Sequence, residues 1–242
     1  MMKNLLILSI FIAFCFQLKA QWSIGLGIGA NKSIIRDYQT YSGKVFIDDK
    51  MLSGYSYQLI IDRKISKYLN ISSGLSYTGK GMERYVNDLA CGTKGMNRTR
   101  MNYFELPVDF VFAASKTKFS PYIAVGSTLA YWSSGSQVGH IVNDETIVRF
   151  DNKLKFVNTY TEAEEDIRII YNYEVNRWDV LFRGSFGLKY NTKQQIIRLW
   201  LNYNHGFLSY IPDLEKNQGM KHSTFSLNFA VLQSISFKSL SK

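Results

Sequence analysis

Thr224-Phe225-Ser226-Leu227-Asn228-Phe229-Ala230-Val231-Leu232-Gln233-Ser234-Ile235-Ser236-Phe237 is the stretch that decides the fold. Its odd positions are Phe, Leu, Phe, Val, Gln, Ile and Phe; its even positions are small or polar, apart from Leu232. Side chains alternate across a strand with period two, so one face is oily and the other is not. A strand in a globular sheet runs about 5–6 residues, whereas one that crosses a bilayer at a tilt needs about 9–11. This segment meets the longer requirement.

The same alternation recurs at Trp22–Ala30, Tyr55–Lys64, Tyr68–Thr78, Met101–Ala113, Phe119–Trp132, Trp178–Tyr190 and Ile196–Leu208. With the closing segment this makes eight strands. The connections between them alternate long and short: Asn31–Gly54, Gly79–Arg100, Ser133–Arg177 and Ser209–His222 are long, and those around Ser66, Lys116 and Lys193 are short. The pattern predicts an all-β fold, an eight-stranded antiparallel up-and-down transmembrane β-barrel with short periplasmic turns and long extracellular loops. Hydrocarbon cannot hydrogen-bond a free backbone, so a spanning sheet has to close on itself.

Outward aromatic residues supply a second indication. Tyr57, Tyr77, Phe104, Tyr131, Trp178, Phe207 and Phe225 fall at the expected outer rim. Trp22, Phe112, Phe119, Tyr190 and Phe237 fall at the inner one. Such rings settle at headgroup level on both sides of a bilayer.

The start of the chain reads as an export signal over residues 1–20. Lys3 precedes the apolar run Leu5–Phe16, and Ala20 stands before Gln21. The run is too short to span as a helix. Bulky Phe14 ahead of Cys15 argues against a lipoprotein site. The barrel is then expected over 21–237, with 133–177 as a long extracellular loop, and 238–242 as a tail behind Phe237. Removing Lys3 and Lys19 with the signal leaves 27 basic against 19 acidic side chains, a net charge of +8. Export sets aside nucleic acid as the partner of that charge and points to anionic lipid headgroups. Cys91 is then the single cysteine left, so no intrachain disulfide is expected.

Few residues suggest chemistry. The Gly25-x-Gly27-x-Gly29 run lies in a strand with no helix after it, so it is read as room on a curved inner wall rather than a nucleotide loop. Glu105, Asp109, Asp179, Arg183 and Lys189 take inward positions on the fourth and sixth strands. An eight-stranded barrel has space inside only for its own side chains, so these five are expected to form a structural charge network. His205 is the odd residue on the lipid face of the seventh strand. Its neighbours along that face, Tyr203 and Phe207, offer no serine for it to activate. His140 and His222 fall in expected loops, and the three histidines show no metal-ligand spacing. No catalytic, cofactor or metal site is expected. Pro107, which cannot donate to a ladder, predicts a local distortion in the fourth strand. Ile147–Phe150 and Ile167–Tyr173 look strand-like, which predicts a hairpin standing above the membrane within 133–177.

Three stretches carry a family resemblance: Leu75-Ser76-Tyr77-Thr78-Gly79-Lys80-Gly81, Asn102-Tyr103-Phe104-Glu105-Leu106-Pro107, and Phe119-Ser120-Pro121-Tyr122-Ile123-Ala124-Val125-Gly126. In combination they resemble the PorT-like outer-membrane β-barrel proteins of Bacteroidota, over nearly the whole exported chain. The resemblance implies a cell outer membrane location and makes Pro107 a family feature. Its founding member is linked to type IX secretion, a role that a shared fold does not carry over by itself. The expected function is a non-enzymatic, monomeric barrel with a packed interior, acting structurally or through its extracellular loops on lipid and other envelope proteins. The alternative is an accessory part of a secretion or envelope machine; a small pore or a lipid-modifying enzyme comes after these.

Overall fold

The structure, a computed structural model, describes residues 21–36, 45–114, 117–143, 146–153, 177–207 and 221–235. The expected signal 1–20, the tail 238–242, Phe237 and Ile167–Tyr173 lie outside the described residues. Nine strands are present among those described: β1 (Trp22–Arg36), β2 (Val45–Lys64), β3 (Leu69–Asp88), β4 (Thr93–Ala113), β5 (Phe119–Asn143), β6 (Thr146–Lys153), β7 (Trp178–Asn191), β8 (Gln195–Gly206) and β9 (Lys221–Ile235).

Eight of these close into a ring. β1 to β5 pair in sequence, β5 pairs β7, β7 pairs β8, β8 pairs β9, and β9 returns to β1. The closing seam runs from Trp22↔Ile235 to Arg36↔Lys221, all antiparallel. Closure leaves no ladder edge in the lipid. β6 stands outside the ring and, among the described residues, pairs with the upper part of β5, from Ser136↔Lys153 to Asn143↔Thr146. It is the hairpin expected above the membrane.

The alternation resolves as the residues require. Leu227, Phe229 and Val231 are 51%, 44% and 39% exposed, while Thr224, Asn228 and Ala230 are at most 2% exposed. The apolar set therefore faces lipid, and no shared core lies beneath it. Leu232, the exception on the polar face, fills the interior.

The strands are longer than their sequence reading. β3 and β4 remain paired from Gly79↔Asn102 to Asp88↔Thr93, so Gly79–Arg100 is a hairpin and not an open connection. Its turn is 89–92, with Gly92 at φ 65°, a backbone region that suits glycine. Cys91 is exposed in that turn. β2 likewise starts at Val45, and β5 runs on to Asn143. His140 and His222, expected in loops, sit in β5 and β9. The physical reason is shared. Above the lipid both faces meet water, so apolar alternation stops while backbone pairing continues.

Five aromatic residues lie in one cross-strand row, Tyr57↔Tyr77↔Phe104↔Tyr131↔Trp178. Tyr77 and Phe104 have ring centroids 5.3 Å apart, and Tyr131 and Trp178 4.8 Å. At the other rim Phe119 packs on Tyr190 at 4.7 Å, and Arg63 lies 5.3 Å over the Trp22 ring. From Phe104 to Phe112 the strand rises about 26 Å, and a 35–45° tilt brings that to roughly 20 Å across the bilayer.

Pro107 distorts β4 without shifting its register. β3–β4 pairing holds at Ser73↔Val108 and again at Ser76↔Glu105, but skips Gly74 and Leu75 between them. The Ser73 hydroxyl donates to the Pro107 carbonyl at 2.9 Å instead.

Candidate functional site

The interior is layered. Toward the outside, Met82, Met101, Tyr103, Ala130, Trp132 and Leu181 form one apolar cluster. Toward the periplasm, Ile60, Val111, Tyr122, Ala124, Trp200, Ala230 and Leu232 form another. Polar side chains occupy the level between them. Gln58 donates to the Asn228 side-chain oxygen at 2.8 Å, Ser185 donates to Asn202 at 2.9 Å, and the Asn202 amide donates to Asn204 at 3.1 Å.

Glu105, Asp109, Asp179, Arg183 and Lys189 are all buried within the barrel, each at most 7% exposed. They do not form one cluster. Arg183 meets Asp109 at 3.2 Å. The pair spans β5, and Gly126 makes the span possible, because a Cβ there would stand 2.5 Å from the Asp109 carboxylate. Glu105 instead pairs with Lys80, and accepts hydrogen bonds from Thr78 at 3.0 Å and Ser76 at 3.3 Å. The Lys80 ammonium also lies 5.0 Å over the Tyr103 ring. Asp179 places its carboxylate beside Gly206, where a side chain would collide with it. Lys189 has its ammonium 4.9 Å over the Tyr122 ring. With the Asn70 amide turned over, that residue's oxygen accepts from Lys189 at 3.2 Å.

Three charged members were missed by sequence reasoning. Lys80 falls in the expected connection Gly79–Arg100, because apolar alternation along β3 stops at Thr78. Asp62 and Arg198, which pair with each other, sit at inward parity on β2 and β8. Parity alone could have found them, had every strand been searched. With them the interior balances: Asp62, Glu105, Asp109 and Asp179 stand against Lys80, Arg183, Lys189 and Arg198 among the described buried residues. The excess positive charge of the chain therefore lies outside this interior.

Little space remains inside. A cavity of about 30 Å³ touches Asp109, Tyr122, Arg183 and Arg198, and a second of about 10 Å³ touches Asn31, Glu105 and Asn204. The larger has room for no more than a water or two. At the outer mouth the wall is drawn together. Ser33 of β1 accepts from the Gly81 N–H of β3 at 2.7 Å and donates to its carbonyl at 2.9 Å, across a register shift in β2. Tyr103 and His222 bridge β4 and β9 at 2.8 Å.

His205 has a serine after all, across the ladder rather than along the strand. Ser223 is its direct partner on β9, with Oγ 3.1 Å from Nδ1. Ser223 is only 4% exposed, and its backbone pairs with β8 on one side and β1 on the other. A nucleophile needs to be reachable, and an oxyanion needs unengaged N–H donors. The contact provides neither. Among the described residues no group of three or more His, Cys, Asp or Glu side chains is placed to hold a metal ion.

A lipid-facing closed ring with aromatic residues at both rims and a filled interior is the geometry of an outer-membrane barrel, and a family model for the outer membrane protein beta-barrel domain matches residues 16–211. The chain belongs to that family. Its location is accordingly the outer membrane, with the short turns on the periplasmic side. Among solved structures, OprG of Pseudomonas aeruginosa is similar over 90% of this chain and 97% of its own, at 9% identity and a TM-score of 0.47. AlkL in lipid bilayers is similar over 93% of this chain and 94% of its own, at 10% identity and a TM-score of 0.43. Neisserial surface protein A is similar over 88% of this chain and 97% of its own, at 10% identity and a TM-score of 0.39. No curated protein matches the chain.

For this outer-membrane barrel domain, the quoted motifs acquire a structural meaning. The lysine of Tyr77-Thr78-Gly79-Lys80-Gly81 pairs with the glutamate of Asn102-Tyr103-Phe104-Glu105-Leu106-Pro107. Thr78 donates to the same carboxylate, and Tyr77 packs on Phe104. The two motifs are one unit joining β3 to β4.

Proposed function

We propose that this barrel is a non-catalytic surface protein that acts through the wall it raises above the outer membrane. The observation that carries this reading is the continuation of β2–β5 past the aromatic row, with β6 added. Asp49↔Arg84↔Asn97↔Gly139↔Phe150 is one rung of a five-stranded sheet standing in the external medium. Its faces carry ion pairs, Arg84 with Asp49 at 2.7 Å and Arg98 with Glu83 at 2.6 Å. Among the described residues β6 is the last strand in the sheet order, and a strand edge is a ready template for pairing with another chain. The filled interior supports this reading over that of a pore.

The same wall suits the narrower role of an accessory part in a secretion or envelope machine, of the PorT-like kind that the two joined motifs resemble. Those motifs bear on how the barrel is built, so the machine reading rests on the wall alone.

The test shortens the hairpin by joining Ser136 to Lys153, which are register partners, through an Asn-Gly turn. A photo-crosslinking residue at exposed Ile147 in the parent protein should trap a macromolecule on intact cells. The shortened form, with its crosslinker at exposed Ser134, should insert normally and trap none. Cargo retained in the periplasm of the shortened strain would support the machine role. Stepwise conductance of the parent protein in planar bilayers, or no adduct at all, would sink the proposal.

A further inference from the structure

The outward face above Phe104, Tyr131 and Trp178 is cationic. Arg177 lies 4.5 Å over the Tyr131 ring, and its Nε donates to the Trp132 carbonyl at 3.0 Å. Arg100 of β4 and Lys153 of β6 flank Ser136 of β5 in one rung, and both are exposed. Neighbouring strands lie about 4.8 Å apart, so the two α-carbons are roughly 10 Å apart. Side chains of that length can converge on one group. Neither makes an ion pair among the described residues. Between them and the aromatic row lie Asn102 and Ser134, joined by a 3.1 Å hydrogen bond.

Among the described residues the acids on this face are few. Glu83 is already held by Arg98 and Tyr85. Asp151 sits between Arg149 and Lys153 on β6, one acid against two cations. Because the described interior is charge-balanced, the excess positive charge lies outside it, and Arg100 and Lys153 belong to that excess. Directly below the aromatic row, Leu106↔Leu129↔Val180 forms an apolar rung, 38–50% exposed, at the level of acyl chains.

We propose that Arg100, Lys153 and Arg177 seat a phosphate of an outer-leaflet lipid, whose acyl chain lies along Leu106, Leu129 and Val180. A cationic seat above a ring of aromatics and an oily strip matches a molecule that is anionic at one end and apolar at the other. A soluble polyanion would leave the strip unused. Long cationic side chains at this height reach headgroups while their stems stay on apolar surface.

The experiment uses the full chain in non-ionic detergent and native mass spectrometry. Bis-phosphorylated lipid A and its dephosphorylated form are the probes. The parent protein should retain the phosphorylated form. Each cation near a membrane surface is worth about a fivefold change in binding, so R100Q/K153Q should lose about 25-fold and the triple variant with R177Q about 100-fold. Arg177 contacts the strand backbone, so the double variant serves if the triple one fails to fold. Inorganic phosphate at millimolar concentration should compete poorly. Equal retention of the two lipid forms, equal retention by parent and double variant, or full displacement by inorganic phosphate would each overturn the proposal.

Discussion

Replacing Lys80 by Met strands a carboxylate inside the barrel. The Lys80 and Glu105 side chains are 1% and 3% exposed, so the pair lies at the buried limit. Removing one partner of such a pair costs about 3–5 kcal/mol, most of it the penalty of a buried charge left uncompensated. The lost contact with the Tyr103 ring adds about 0.5–2 kcal/mol. Thr78 and Ser76 still donate to Glu105 and offset part of the loss. A net destabilisation of about 3–5 kcal/mol is expected for K80M. E105L should cost less, because Lys80 stands near the mouth and its flexible stem can carry the ammonium toward water. The double variant K80M/E105L should fall within about 1 kcal/mol of the parent, since apolar replacement of a whole buried pair is often neutral. Guanidinium unfolding in lipid vesicles, followed by tryptophan fluorescence, measures all three. Trp132 shares an apolar cluster with Tyr103 and reports from beside the pair. Acidification, which neutralises the stranded carboxylate, should narrow the gap between K80M and the parent. A K80M cost under about 1 kcal/mol, or a double variant whose cost is the sum of the singles, would refute the reasoning.

Two other outcomes are expected. G126A places a methyl group 2.1 Å from the Val108 carbonyl oxygen and 2.5 Å from the Asp109 carboxylate. Overpacking of that kind costs about 1–3 kcal/mol, visible as a lower temperature for loss of the compact band on unboiled gels; an unchanged temperature would count against the Asp109–Arg183 span. On the external wall, the Tyr85 hydroxyl and then Arg98 hold the Glu83 carboxyl below its ordinary value of 4.5. A depressed folded value means that the stabilisation is present above the ordinary value and is lost as pH falls through the lower one. Amide exchange around Glu83 and Arg98 should therefore stay slow until pH drops below 4.5, with E83Q removing the dependence; loss of protection already above 4.5 would contradict it.

The wall of the barrel was legible in the residues because lipid imposes a rule on every second side chain. Leu227, Phe229 and Val231 have to face hydrocarbon, and the aromatic residues have to gather at the rims. The rule ends where the lipid ends. Beyond Thr78 or before Met101 nothing in the order of residues separates a paired strand from an open loop, because water accepts either face. Lys80 was lost to sight there, and with it the partner of Glu105.

The interior follows a different logic. Asp109 and Arg183 are 74 positions apart, and which acid meets which cation depends on shear, on the space left by Gly126 and Gly206, and on where a strand is drawn inward, as at Ser33 and Gly81. His205 shows the same division: along its own strand it has no serine, and only the register of β8 against β9 brings Ser223 to 3.1 Å. Period-two order is a local property that each strand carries in its own residues. Which side chain stands across from which is settled when the sheet closes, because closure sets every register at once.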